Sequence, residues 1–391
     1  MKADGDDCAA LPLSGVRVID FTQVMLGPCC TQMLGDYGAD VIKIEREGQG
    51  DISRWSIGED PDGLNNPVFC SLNRNKRSAT FNLKTGAGRE AIATLVRTAD
   101  VVVNNFRPGV MERLGFGYED VKKMNRRAVY AVGTGFGLDG PYAHKGGQDI
   151  LAQALTGVMQ RRADPSIPLN IYPTALADYS AGMHLVQGIL LALLHREKTG
   201  EGQLVSVSLF NSMLSMQMQE AAMRLMRDKD LNWAAMPLTG VFVTEDGAIV
   251  MVGAFKENPL REICKALEVE DLSARPEYAD LAAQRERREE LQSLFREKFA
   301  KGTTEHWISR LEGVDILCAP VLDLEQALEN PQTKHNRMIM ELDPTAGGPV
   351  KLVGSPIEMS AAPVRARLGP PRLGEHTREI GRELGLIEAA E

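Results

Sequence analysis

Cysteine is scarce in this chain: 6 in 391 residues. Cys8, Cys29, Cys30, Cys70, Cys264 and Cys318 are too few and too scattered for a disulfide framework in a chain this long. No CxxC pair occurs and no histidine stands at ligand spacing from a cysteine, so no zinc site is expected. Basic charge is not in excess either. The balance of 44 Lys and Arg against 53 Asp and Glu gives a formal net charge of -9, which argues against a protein devoted to nucleic acid. No run approaches the roughly 20 apolar residues that span a bilayer; the longest, Leu185 to Leu194, is interrupted by Gln187 and Gly188. The opening MKADGDDCAA is acidic and has no apolar stretch, so no export or import signal is read and a cytoplasmic location is expected. GxxxxGKS/T, GxSxG and HExxH are all missing, and with them the parts of P-loop nucleotide hydrolysis, elbow-type hydrolases and zinc peptidases.

What is present is the composition of an ordinary globular protein, 43% hydrophobic and 25% charged, with enough apolar side chains for a sizeable core. The length suits two domains or one large discontinuous one. From Val16 short β-branched runs alternate with helical stretches: VRVIDF, a helix from Pro28 to Tyr37, DVIKIE, then a variable loop to Ser78. A helix near Arg89 to Thr98, the strand DVVVNN, a helix near Val121 and the strand AVYAVG continue the pattern. Apolar strands separated by amphipathic helices predict an α/β, Rossmann-like first half with a mostly parallel sheet covered on both faces. A long helix from about Tyr179 to Glu197, stopped at Thr199-Gly200, precedes the strand QLVSVSLF and a Met-rich helix. From Gly240 the sequence GVFVTEDGAIVMVGAF reads as a hairpin turning at Asp246-Gly247. Charged helices between about Asn258 and Leu311 make this a smaller α+β domain. A Pro- and Gly-rich extended return near 329 to 376 and a short helix close the chain.

Several residues invite a functional reading. GFGLDG at 135 to 140 matches GxGxxG after a strand, but it runs into Pro141 and a polar loop, with no helix to hold a pyrophosphate; a glycine-rich turn accounts for it. Cys29-Cys30, after Pro28, could stand at a helix N-terminus where a thiolate is favoured, or be small buried residues. His184 and His195 share nearly one face of the long helix without an acidic or thiol partner, and read as packing or surface residues. Asn75-Lys76-Arg77, Arg46 and Lys84 are either solvated surface or phosphate ligands at the loops of the sheet. Asp178 precedes the long helix, where free N–H groups and the positive dipole end are expected to keep a carboxylate ionised. It is an N-cap on one reading and a covalent nucleophile on the other; local pattern leaves both open.

Taken together, GVRVIDFTQVMLGP, GADVIKIEREGQGD, NRNKRS, VVNNFRPGVMERLGF, the Asp178 helix with HREKTGEGQ, CAPV and LGEHT resemble the class III CoA-transferases. This is the formyl-CoA transferase and carnitine CoA-transferase family, of CaiB/BaiF type, which also includes the α-methylacyl-CoA racemases. The resemblance runs from about Leu11 to Leu386. It implies that Asp178 is the nucleophile, passing through aspartyl anhydrides and an aspartyl-CoA thioester. It implies a CoA site at Val24 and Leu26 by backbone, with Arg46, Lys84, Asn105, Phe106, Arg113, Leu114 and Lys145, and an acyl pocket at Met25, Gln148 and Asp149. No permanently bound cofactor and no metal is implied; coenzyme A or acyl-CoA is substrate, with an acyl-CoA donor and a carboxylic acid acceptor as partners.

Two departures narrow the chemistry. The family's racemases have a histidine base where this chain has Gln148, and an amide cannot take an α-proton. Oxalate-specific members carry a glutamine where Met25 stands, and a glycine-rich loop absent after Leu238; the motifs look most like the branch acting on small dicarboxylates. Arg161-Arg162 would meet a distal carboxylate or else be an exposed pair. The family's fold implies a large Rossmann-like domain over 11–225, completed by 335–391, and a small α+β domain over 236–325. Linkers at 226–235 and 326–334 would join them in an interlocked, ring-shaped homodimer. An isomerase of the same family, or a catalytically silent CoA-binding protein, are the alternatives.

Overall fold

The computed structural model describes residues 11–58, 66–164, 166–342, 349–364 and 366–386; Cys8 and the acidic opening segment lie outside the described residues. The chain forms two compact units, one of residues 1–156, 172–216 and 331–391, the other of residues 157–171 and 217–330. Residues 157–171 and 217–225, which the family resemblance groups with the larger domain, pack with the smaller unit.

In the first unit six strands make one parallel sheet: β1 (Arg17–Asp20), β2 (Asp40–Glu45), β3 (Lys76–Thr80), β4 (Val101–Asn104), β5 (Val129–Thr134) and β6 (Leu204–Ser208). Their order is β3-β2-β1-β4-β5-β6. The helices that matter here are α1 (Leu26–Asp36), α2 (Gly86–Thr98), α3 (Asp149–Leu155) and α4 (Leu176–Thr199). Ile42, Ile19, Val102 and Tyr130 stand in register across four strands and share a core with Ile92, Leu95 and Val96 of α2. Side chains alternate along a strand, so Val41, Val18, Val101 and Val129 line the other face, where Gly35 of α1 approaches Val41. Each such fully buried Val or Ile contributes about 1.5–3 kcal/mol. Burial on both faces is why these strands read as unbroken apolar runs.

α4 is a continuous helix despite the Gln187-Gly188 interruption. A Cβ on Gly188 would come within 2.6 Å of Val205 Cγ1 in β6, so the glycine marks close packing. By length and composition α4 is the helix, among the described residues, that could cross a membrane. In this structure Ala177, Ala181, Leu185 and Ile189 are buried in the unit's interior. It ends at Gly200, whose φ of 78° suits the left-handed C-terminal position.

β3 departs from the sequence reading, which assigns everything up to Ser78 to a loop. Its sequence KRSAT is not apolar because it is an edge strand whose side chains enter ion pairs and whose edge is covered by the returning chain. Ser78 N–H donates to His376 Nδ1 at 3.2 Å, His376 N–H to the Ser78 carbonyl at 2.9 Å, and Thr80 N–H to Thr377 Oγ1 at 3.0 Å. The extended return also contains an antiparallel hairpin, Ile339–Leu342 with Val350–Val353.

The second unit holds an antiparallel sheet in which β8 (Ala248–Val252) lies between β7 (Thr239–Val243) and β9 (Leu317–Pro320). CAPV thus supplies a third strand to the expected hairpin. The hairpin loop spans Thr244 to Gly247, closed by Thr244 N–H on the Gly247 carbonyl at 3.0 Å. The residues between that pair are Glu245 and Asp246, one place before the expected Asp246-Gly247, and the Asp246 carboxylate accepts from Thr304 N–H at 2.7 Å and Thr304 Oγ1 at 2.8 Å, at the start of the helix Thr304–Glu312. Phe242 stacks on Phe299 with centroids 4.9 Å apart, in a core that includes Ile249, Met251, Phe295 and Leu311.

Candidate active site

In this strand order the chain winds in opposite directions from β1 and β4, so the loops at their C-terminal ends diverge and leave a crevice between them. Loop 21–25 after β1 and loop 105–109 after β4 frame a cleft of about 440 Å³ there. Val24, Met25, Leu26, Asn105, Phe106, Lys145, Gln148 and Asp178 all line it. A second cleft of about 460 Å³, sharing Gln23 and Phe106 with the first, is lined by Arg46, Lys84 and Leu114. The fold therefore brings most residues singled out in the sequence to two joined hollows. Arg113 is on the short helix Val110–Leu114 beside the second cleft, with Nη1 approaching Gly109. Asp149 is not a wall of either hollow.

Asp178 lies in the first turn of α4, but it does not cap that helix. The capping carboxylate is Asp149, whose Oδ2 accepts from Ala177 N–H at 2.7 Å and Asp178 N–H at 3.0 Å, while Oδ1 accepts from Gln153 Nε2 at 2.6 Å. Asp149 is buried, and the expectation that it lines an acyl pocket is corrected: it holds the helix that carries Asp178. The Asp178 carboxylate turns to the cleft and accepts from the backbone N–H of Leu26, at the start of α1. Its environment does not favour charge. Burial, and then the neighbouring Asp149, push its pKa up to about 6, against the pull of the Leu26 N–H. The dipole-stabilised, fully ionised Asp178 expected from sequence is thus replaced by a half-buried carboxyl with raised basicity.

α1 and α4 cross closely beside this group. A Cβ on Gly182 would meet Cys29 Sγ at 2.2 Å and the Leu26 carbonyl at 2.7 Å. Cys29 is buried and its Sγ–H donates to the Leu26 carbonyl at 3.2 Å. Burial drives its pKa to about 12 and raises that of Cys30, so both are packing residues and not thiolates.

NRNKRS, the motif that stood between solvated surface and phosphate ligand, is neither. Lys76 is fully buried, bonded to Asp20 at 3.2 Å, Asn73 at 2.8 Å and the Pro28 carbonyl at 3.0 Å. Burial pulls its pKa down to about 8 even with Asp20 beside it. Arg74 and Asn75 bind Asp36, Arg77 binds Asp40, Glu379 and Glu383, and Ser78 Oγ donates to Glu45 at 2.6 Å. The motif joins α1, the sheet edge and the returning chain. Arg46 and Lys84, by contrast, are exposed beside the second cleft.

The remaining candidates resolve as structure. GFGLDG is a glycine turn in which Gly135 lies against Gly147; a Cβ on either would come 2.4 Å from the other's Cα. His184 Nδ1 bonds Ser212 Oγ at 3.0 Å, and His195 is exposed. Within the second unit, Arg161 binds the Leu231 carbonyl and Glu220, and Arg162 donates to the Ile167 carbonyl at 2.6 Å. Both arginines are half-buried, so they are not an exposed pair.

Sequence reasoning missed Arg107 and Gln23 as cleft residues, although FRPG follows a strand whose end faces the crevice. It also missed Asp149 as a cap, because 29 residues separate it from Asp178. Chemically, the cleft offers a partly desolvated carboxylate, the backbone N–H of Leu26 at the start of α1, and cations at Arg107 and Lys145, the latter 3.8 Å over the Tyr142 ring. Such a group can attack an activated carbonyl held against it.

Comparison with known proteins places this geometry in context. The profile of CoA-transferase family III matches residues 13–377. Succinyl-CoA:glutarate CoA-transferase of Mus musculus is 33% identical over 97% of this chain and 88% of its own length. Formyl-CoA:oxalate CoA-transferase of Escherichia coli O157:H7 (strain EC4115 / EHEC) is 33% identical over 96% of each. A crystal structure of a CAIB/BAIF family protein from Brucella suis superposes with a TM-score of 0.84 at 29% identity, covering 96% of this chain and 99% of that one.

Proposed function

The chain belongs to CoA-transferase family III, and from that premise we propose that Asp178 is the group through which CoA passes from an acyl-CoA thioester to a free carboxylic acid. The observation that carries this reading is the Asp178 carboxyl, aimed into the cleft beside the Leu26 N–H and raised to about 6. Ionised Asp178 attacks the donor thioester carbonyl, forming a mixed anhydride and releasing the CoA thiolate. The thiolate attacks the aspartyl carbonyl, leaving aspartyl-CoA thioester and the donor's carboxylate. The acceptor carboxylate displaces CoA to give a second anhydride, and the thiolate opens that at the acceptor carbonyl, freeing Asp178. Every step exchanges bonds of similar energy, and the Leu26 N–H at the start of α1 stabilises the tetrahedral oxyanions. CoA extends from the first cleft past Phe106 into the second, with its phosphates toward Arg46, Lys84 and Arg113.

The acceptor in this reading is a small dicarboxylate, supported by the cations Lys145 and Arg107 in the cleft and by Met25. Identity alone does not choose, since the glutarate and oxalate enzymes are equally similar. Gln148 stands in the cleft where a racemase needs a base, so no α-proton exchange of acyl-CoA in deuterated water is expected. The interlocked homodimer belongs to the same proposal, supported by exposed Leu191 and Leu194 on α4. The test is intact-protein mass spectrometry after incubation with succinyl-CoA, acetyl-CoA and related thioesters, with hydroxylamine or borohydride trapping and peptide mapping. An adduct on Asp178 is expected; CoA binding without any adduct would overturn the mechanism.

A further inference from the structure

Val24, on the cleft wall, has φ 66°. A β-branched residue in the left-handed region is strained and stays there only where its surroundings force it. The Gln23 before it is clamped by Asn105, whose Oδ1 accepts from Gln23 N–H at 2.9 Å and whose Nδ2 donates to the Gln23 carbonyl at 2.7 Å, and Val24 itself is held by Asp51. Asp51 Oδ1 accepts from Val24 N–H at 3.1 Å, and also from Ser53 N–H at 2.9 Å and Ser53 Oγ at 2.8 Å. Its Oδ2 lies 2.8 Å from Lys43 Nζ, and both side chains are wholly buried. Lys43 in turn donates to the Thr22 carbonyl at 2.7 Å, so the pair grips the loop at two points. Asp51 is itself held, its N–H donating to Glu45 Oε2 at 2.8 Å, while Glu45 is fixed by Arg54 and Ser78. A buried ion pair is a weak source of net stability, and this one stands under a strained loop two residues before Leu26, the donor to Asp178.

We propose that Asp51 is a positioning residue: it holds Val24 in its left-handed conformation and so aims the Val24–Leu26 backbone at Asp178 and the bound thioester. The inference rests on the reading of Asp178 as nucleophile. Asp51 touches neither substrate nor the reacting atoms and acts through the loop.

The experiment compares two pairs of substitutions that remove the buried charge alike. In Asp51→Asn with Lys43→Met a carbonyl oxygen remains to accept from Val24 N–H; in Asp51→Leu with Lys43→Met it does not. Adduct formation on Asp178 with succinyl-CoA is timed by mass spectrometry, and amide exchange at Val24 is measured without substrate. The Asn pair is expected to keep its protection at Val24 and its rate. The Leu pair is expected to lose protection and to slow adduct formation about tenfold or more, since small misplacements of reacting groups cost that much. Adding Val24→Gly to the Leu pair is expected to recover part of the rate, because glycine adopts positive φ without strain. Equal rates and equal protection in both pairs would overturn the proposal, as would equal loss in both with no recovery from Val24→Gly. Wild-type protein forming no adduct would instead overturn the nucleophile reading, and the exchange comparison would still judge whether Asp51 holds the loop.

Discussion

Replacing Asp178 by Asn separates a nucleophile from a helix cap, because the two roles predict opposite changes in stability. The folded protein holds the Asp178 carboxyl at about 6, against an ordinary value of 3.8. An acid whose pKa is raised by folding binds its proton more tightly in the native state, so between about 4 and 6 stability falls as pH rises. Above that window the fold carries the full penalty of an ionised, half-buried carboxylate, and below it none. The difference between about 6 and 3.8 corresponds to at most about 3 kcal/mol, and to about 1–2 kcal/mol once residual contact with solvent is allowed for. Asp178→Asn removes the ionisation and keeps a carbonyl to accept from Leu26 N–H. Urea denaturation at pH 7.5 should therefore show the variant more stable by about 1–2 kcal/mol, with the gap closing toward pH 4, while adduct formation and CoA transfer are abolished. A variant less stable than wild type at pH 7.5 would mean that Asp178 serves the helix, as a cap does, and full transfer by it would remove the mechanism.

Other outcomes follow from neighbouring groups. The rate of adduct formation should rise with pH through about 6 as Asp178 ionises; Asp149→Asn should move that midpoint down, because it removes the like charge while burial persists, and an unmoved profile would discount the Asp149 contribution. Gly147→Ala places a Cβ 2.4 Å from the Gly135 Cα, so the loop bearing Lys145 and Gln148 must shift; a raised KM for the acyl-CoA donor is expected, and unchanged kinetics would refute the tight crossing. Cys29, held at about 12 by burial, should resist iodoacetamide in the native protein and react after unfolding, as peptide mapping would show; rapid native labelling would contradict its place between α1 and α4.

The parallel sheet was legible because its central strands are buried on both faces and carry little but β-branched and other apolar side chains, as in VVVN of β4. β3 was not, since at an edge covered by the returning chain its Lys76, Arg77 and Ser78 side chains go to ion pairs and hydrogen bonds. Asp178 was visible as a candidate but its environment was not, because the groups that set it, Asp149 and Leu26, come from distant segments. The same holds for NRNKRS: a run of basic side chains says nothing of Asp20, Asp36 and Asp40, which the fold brings to meet it.

The cover over the β3 edge has a consequence for synthesis on the ribosome. Ser78 and the His376 side chain that receives its N–H are 298 positions apart. At about 5–20 residues per second, roughly 15–60 s pass between the emergence of that strand and of its cover. Through that interval the β3 margin of the newborn sheet is raw, and an uncovered edge is the part of a β-structure most ready to recruit a stray strand. A chaperone's moment of need would be set by this delay, and a nonsense codon before Gly374 would leave the margin uncovered for good.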